Sequence, residues 1–107
     1  MENSIWSLLL DDVSLIETKF HMAREDHHFD FEKDIVPFTK LIDDHIHLMH
    51  QSTNLFFTQR SRIESLIQPL SVSCHDKRTS KKQFFDQLKT IKHDLLTIQR
   101  QVENGHV

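Results

Sequence analysis

The sequence predicts an all-α protein, an antiparallel up-down-up-down four-helix bundle, and three observations carry that prediction. Apolar residues recur at alternating spacings of three and four along four separate stretches, which is the period of one helix face. The connections between those stretches are short, so consecutive helices pack as antiparallel neighbours. The 107 residues include only one Gly (Gly105) and two Pro (Pro37 and Pro69), which argues against Gly-dependent hairpins and Gly-rich phosphate loops. Leu, Ile, Val and Phe together make 34 of the 107 residues. That supply suits the core of a single domain, residues 1–107.

The first helix is expected over residues 4–24, because Trp6, Leu9, Val13, Ile16, Phe20 and Ala23 form one stripe. Asp12, Glu17, Lys19 and Arg24 fall outside it, and residues 25–29 break the pattern as a connection. The second helix is expected over 31–58, with Phe31, Ile35, Phe38, Ile42, Met49 and Phe56 in register if His45 and Ser52 share the seam. Either Asp30 or Asp34 serves as its N-cap. Capping by Asp34 leaves Pro37 in the first turn, whereas capping by Asp30 puts Pro37 inside and kinks the helix.

Ser61-Arg62-Ile63-Glu64 has the form of a capping box and predicts a third helix over 62–75, with Ile63, Ile67, Leu70 and Cys74 buried. Pro69 lies inside that helix and removes the bond to the Ser65 carbonyl. Ser80-Lys81-Lys82-Gln83 is a second capping box. It opens a fourth helix over 81–103, where Phe84, Leu88, Ile91, Leu95, Ile98 and Val102 repeat at helical spacing. Gly105 provides its stop.

The first residues carry no base, and the apolar run Ile5 to Leu10 ends at Asp11-Asp12. A secretory signal and a membrane span are therefore not expected, and the expected location is the cytoplasm. The single cysteine, Cys74, excludes an internal disulfide and a multi-Cys zinc site. The net charge of −3 hides an asymmetry. Residues 1–54 hold 11 acids and 4 bases, while residues 55–107 hold 5 acids and 9 bases. In a bundle the two halves lie side by side, so their opposite charges complement each other or meet a partner with opposed patches.

Nine histidines are present, densest in Asp43-Asp44-His45-Ile46-His47-Leu48-Met49-His50. At about 100° per residue, Asp43, His47 and His50 share one helix face, a set of donors suited to a transition metal. That face points away from the apolar stripe, whereas bundle metal sites project their ligands inward from facing helices. Glu25-x-x-His28 has a ligand spacing but lies at a helix end without a matching second pair. His45, on the seam, is expected to be a core-edge histidine with a hydrogen-bond partner. The phrase Leu41-Ile42-Asp43-Asp44-His45 is faintly similar to a helix of hemerythrin-like oxygen carriers, but their other inward ligands have no counterpart at matching spacing here, and the likeness is rejected as chance. If all nine histidines titrate near the reference value, net charge runs from −3 to about +6 as pH falls through about 6.5, with a solubility minimum near pH 6.

Cys74-His75 brings together residue types used as nucleophile and base, yet adjacent helical residues diverge by about 100° and Cys74 sits on the apolar stripe. A buried, inert thiol is expected, no cofactor is implied, and an enzyme is not expected. The segment His75-Asp76-Lys77-Arg78-Thr79-Ser80-Lys81-Lys82 is more informative. Bases at a helix N-terminus oppose the macrodipole, so stability alone does not select them. Lys77, Arg78, Thr79, Ser80, Lys81 and Lys82 are the candidate site for a phosphate or an acidic partner. Nucleic acid is disfavoured, because the patch is short, lacks interleaved exposed aromatics and belongs to an acidic chain.

The stretch Phe29-Asp30-Phe31 with Ile35 and Pro37, then Leu70-Ser71-Val72-Ser73-Cys74-His75, then Lys77-Arg78-Thr79-Ser80 with Phe84, Leu88, Asp94-Leu95 and Ile98, resembles the YppE-like family of small cytoplasmic proteins of Gram-positive bacteria. The resemblance covers roughly residues 29–100. It implies a four-helix bundle and carries over no catalytic, metal or ligand residues. The expected function is that of a non-enzymatic interaction module with a protein partner. The alternatives are a metal-binding bundle using Asp43, His47 and His50, or a binder of a small phosphorylated ligand at the basic turn.

Overall fold

The computed structural model describes residues 4–105, so Glu2 and His106 lie outside the described residues. Four helices run in order: α1 (Ile5–Arg24), α2 (Val36–Ser52), α3 (Phe57–Ser73) and α4 (Lys81–Glu103), with a π-helical turn (Phe31–Ile35) leading into α2. Each helix packs on the next in sequence, α4 closes on α1, and a slighter contact crosses the diagonal between α1 and α3. This is the up-down-up-down bundle that short connections dictate. Its dimensions are 45 × 27 × 24 Å.

The predicted seams form the core. On α1 all six stripe residues are buried, on α3 and its C-cap Ile63, Ile67, Leu70 and Cys74 are, and on α4 the series from Phe84 to Ile98 is. Phe20 stacks on Phe84 with ring centroids 4.0 Å apart, joining α1 to α4. Val102, at the fraying end of α4, is exposed instead. Ser80 caps α4 as its sequence motif requires, accepting from the Gln83 amide at 3.3 Å. Gly105 takes a left-handed φ of 71° just beyond the helix.

The entry to α2 uses both candidate caps. Asp30 Oδ1 accepts from the Lys33 amide, and Asp34 Oδ2 accepts from the Asp30 amide, each at 2.7 Å. The Ile35 amide reaches back five residues to the Asp30 carbonyl. This wider turn lets the chain admit Pro37 at the start of α2, where its absent N–H and its ring do least harm. The extra residue in the turn also rotates Phe31 out of register. It is 66% exposed and not a seam residue as expected.

The boundary between the second and third helices differs from the prediction. α2 ends at Ser52, not 58, and α3 begins at Phe57, not 62. Ser61 lies inside α3, so Ser61-Arg62-Ile63-Glu64 caps nothing, and Glu64 turns to His50 instead. The chain reverses through Thr53 to Phe56. Thr53 Oγ1 accepts from the Leu55 amide, and Phe56 adopts a left-handed φ of 60° that is costly for a bulky residue. Arg60, which is buried, latches this turn. Its Nε donates to the Leu55 carbonyl at 2.6 Å and its guanidinium donates to His50 Nδ1 at 2.7 Å.

Buried polar groups on the helix faces are matched in pairs. His45 meets Asp12 at 2.5 Å between α2 and α1, giving the seam histidine the partner expected of it. Asp12 is itself buried, although the sequence pattern places it outside the stripe. Burial pushes its carboxyl above the ordinary range, while the His45 contact opposes that shift and Asp11 adds to it. Arg62 reaches across to buried Asp94 on α4 with two bonds of 2.7 Å.

Candidate functional site

The two ends of the bundle are built differently, and the end formed by the 25–30 and 74–80 connections holds a cleft. α1 stops in a Schellman motif, with the His27 amide returning to the Met22 carbonyl and the Asp26 amide to that of Ala23. The left-handed position usual for glycine is taken by Asp26, at φ 65°. That turn points the Asp26 carboxylate across the end of the bundle to Lys77 Nζ, 3.0 Å away. Between the two connections opens a cleft of about 390 Å³, with Asp26, His27 and His28 on one side and Asp76, Lys77 and Arg78 on the other.

Hydrogen bonds fix the basic turn. Thr79 Oγ1 donates to the Ser73 carbonyl at 2.7 Å, and the Thr79 carbonyl accepts from Arg24 at 2.5 Å. Arg78 folds onto Asp76 through its backbone amide, Nε and Nη2 at 2.9–3.1 Å. The Arg78 contact holds the Asp76 carboxyl below its ordinary range. Of the six predicted site residues, Thr79 commits its hydroxyl hydrogen to the Ser73 carbonyl, whereas exposed Ser80 uses a lone pair as the α4 cap and keeps its O–H as a donor. Lys77 and Arg78 form solvent-exposed ion pairs, and Lys81 and Lys82 are exposed. Exposed pairs of this kind exchange readily for other partners.

His75 forms part of the cleft wall and is 9% exposed. Its Nδ1 lies 3.2 Å from the Val72 carbonyl. A carbonyl can only accept, so Nδ1 carries the hydrogen and Nε2 is left as a lone-pair acceptor. Nε2 is buried without a partner. The ring meets Phe29 edge-on at 4.7 Å and Phe38 at 5.7 Å, while Lys19 Nζ sits over both phenyl faces. Burial lowers the His75 pKa, and Lys19 acts in the same direction, against the Val72 contact and Asp34. His75 therefore departs from the uniform titration assumed for nine independent histidines.

Cys74 and His75 come closer than helical divergence suggests, with Sγ 3.5 Å from Nδ1, because both lie just past the last residue of α3. Burial nonetheless pushes the Cys74 thiol up to about 12, so the thiolate needed for attack is suppressed at neutral pH.

The three residues of the alternative metal reading each stand in a different setting. Asp43 Oδ1 accepts from Gln68 on α3, His50 is held between Arg60 and Glu64, and His47 is exposed. The three do share one side of α2, but that side faces the polar edge of α3, which supplies partners for two of them. Because Arg60 can only donate, His50 Nδ1 accepts and Nε2–H donates to Glu64 at 2.6 Å. Among the described residues no group of three or more His, Cys, Asp or Glu side chains is disposed to hold a metal ion. His28 of the Glu25-x-x-His28 pair lines the cleft.

Periodicity missed the first wall of the cleft, which comes from about fifty residues away in sequence. The positive-φ turn at Asp26 has no glycine to announce it. These features define a small all-helical bundle with a closed apolar interior and one polar, cleft-bearing end. The chain belongs to the family of the bacterial domain of unknown function DUF1798, whose model matches residues 7–102 and so takes in nearly all of the four helices. No curated protein and no solved structure matches it. No helix among the described residues is long and apolar enough to cross a membrane.

Proposed function

We propose that this protein is a non-enzymatic interaction module that receives an acidic segment of another protein at its cleft-bearing end. The observation that carries this reading is the presentation of Lys77, Arg78, Lys81 and Lys82 on a turn already fixed by internal hydrogen bonds. The cations are offered on a rigid mount, which lowers the ordering cost of binding. Arg78 is 85% exposed, so a carboxylate from outside can replace Asp76 on its guanidinium.

The test is capture of a partner from lysate of the native host by the immobilised protein. Reversing Lys77→Glu, Arg78→Glu, Lys81→Glu and Lys82→Glu together abolishes capture without lowering the melting temperature. Unchanged capture by that variant contradicts the assignment of the site.

A second reading, a small phosphorylated ligand in the cleft, is favoured by the volume of about 390 Å³, which suits a small molecule. Lys77 and Arg78 supply its charge contacts, while the Thr79 hydroxyl hydrogen is already given to Ser73. Thermal stabilisation by phosphorylated metabolites beyond that of matched sulfate supports it, and none beyond sulfate dismisses it.

A further inference from the structure

We propose that the outer groove between α1 and α2 is a docking site for a cationic amphipathic helix of a partner protein. It is a different surface from the cleft, and it follows from which leucines the bundle leaves outside.

The Asp12–His45 contact fixes the rotation of α1 against α2. At about 100° per residue, every buried apolar residue of the two helices lies to one side of the line joining Asp12 and His45. Leu8, Leu15 and Met22 on α1 lie to the other side, each about 40–80° from Asp12, as do Leu41 and Leu48 on α2 relative to His45. Because the helices are antiparallel, these two sets point out of the same face of the bundle. Within each helix they recur every seven residues, which stacks them along a shared groove.

Pairing Asp12 with His45 sets Leu8 level with Leu48 and Leu15 level with Leu41. The strip is accessible, with Leu15 45%, Leu41 39% and Leu48 47% exposed and Leu8 and Met22 half-buried. Scattered exposed leucines need no explanation, but matched heptads on two adjacent helices form the seam that a third helix fills.

Charge selects the occupant. Asp11 and Asp44, both exposed, flank the strip on its two outer sides at the same height, about 100° from the contact line. Neither makes an ion pair among the described residues. Lys40 stands further round α2, and Lys19 is engaged with Phe29 and Phe38. The surrounding half of the chain, residues 1–54, has 11 acids against 4 bases. A second copy docking face to face by a two-fold axis sets like carboxylates against one another, and an anionic lipid surface is repelled. A helix with leucines at heptad spacing and Lys or Arg on its flanks satisfies both the strip and its acidic borders.

The experiment titrates the full-length protein with a designed, labelled peptide of about 18 residues, which spans the strip at 1.5 Å per residue. It carries leucines at heptad spacing and Lys and Arg flanks, and a control peptide has the same leucines with Glu flanks. The basic peptide binds, more weakly as salt rises, and the acidic one binds at least about tenfold more weakly. Combining Leu15→Ser, Leu41→Ser and Leu48→Ser weakens binding about thirtyfold or more while the variant keeps its helical circular dichroism at the assay temperature. Asp11→Asn with Asp44→Asn weakens it several-fold and flattens the salt dependence. The four charge reversals at the basic turn leave this binding unchanged, so failure here and failure of the cleft reading are distinguished.

Equal binding of the two peptides, or binding unaffected by the three serines, overturns the proposal. So does a dimer in sedimentation that the serines dissolve, or co-sedimentation with neutral lipid vesicles that they abolish.

Discussion

The two ends of this bundle spend their polar residues in opposite ways. At the 53–56 turn, Arg60, His50 and Glu64 bind one another and the Leu55 carbonyl, and together they hold Phe56 in a costly left-handed backbone. At the cleft end, Lys77 and Arg78 sit in exposed ion pairs and His75 keeps a buried nitrogen without a partner. One end is latched. The other holds its charges where a newcomer can take them. Polar residues alone do not mark a working surface, and the distinguishing feature is whether their bonding capacity is already committed.

The contrast breaks most readily at Arg60. Arg60→Met removes its bonds to the Leu55 carbonyl and to His50 from a strained turn, and costs about 2–4 kcal/mol in urea unfolding. A loss below about 1 kcal/mol means the turn does not depend on its latch.

His75 gives the next effect, on the acid side. Its folded pKa lies below the ordinary 6.5, so the folded protein binds fewer protons than the unfolded chain in that window. Its contribution is complete above about 6.5 and is lost progressively as pH falls below it. His75→Phe flattens the stability profile between pH 5 and 7 in urea titrations, and an unaltered slope contradicts the buried, neutral ring.

Asp12 acts in the reverse sense. Its folded pKa is raised above 3.8, so its contribution is fully favourable below that value and declines as pH climbs through the raised one. Asp12→Asn keeps an acceptor for His45 Nδ1–H and removes this decline, leaving stability at pH 7 equal to or above that of the unaltered protein. A marked loss at pH 7 shows instead that the charged pair outweighs its burial cost.

The smallest change is at Asp26. Glycine there relieves the left-handed backbone and raises stability by about 0.5 kcal/mol, against the loss of an exposed pair with Lys77. No gain means Asp26 stabilises its own turn locally.

The seams were legible because a core stripe is a local, repeated signal, and Trp6 to Ala23, Ile63 to Cys74 and Phe84 to Ile98 occupy the places their spacing assigns. The turn at 53–56 was not. Ser61 and Glu64 spell a helix start, but Glu64 has a stronger use as the acceptor for His50, and the actual stop depends on Arg60 reaching backward to Leu55. Phe31 was misplaced because a helical period assumes no extra residue, and the turn before Pro37 inserts one.

At the site, the basic turn is visible as a run of charges. Its setting is not, because Asp26 and Lys77 are 51 residues apart and nothing in either local pattern announces the other. Asp43, His47 and His50 share one side of α2, as their spacing requires, and α3 engages two of them through Gln68, Arg60 and Glu64, which the pattern of one helix does not reveal.

The difference between the two ends is measured most directly by crossing the two sets of variants and recording melting temperature and partner capture for each. The four charge reversals at Lys77, Arg78, Lys81 and Lys82 should lose capture and keep the melting temperature. Arg60→Met should keep capture at low temperature and lose about 8–15 °C of melting temperature. Capture that survives the reversals but disappears with a folded Arg60→Met protein would place the working surface at the latched end instead.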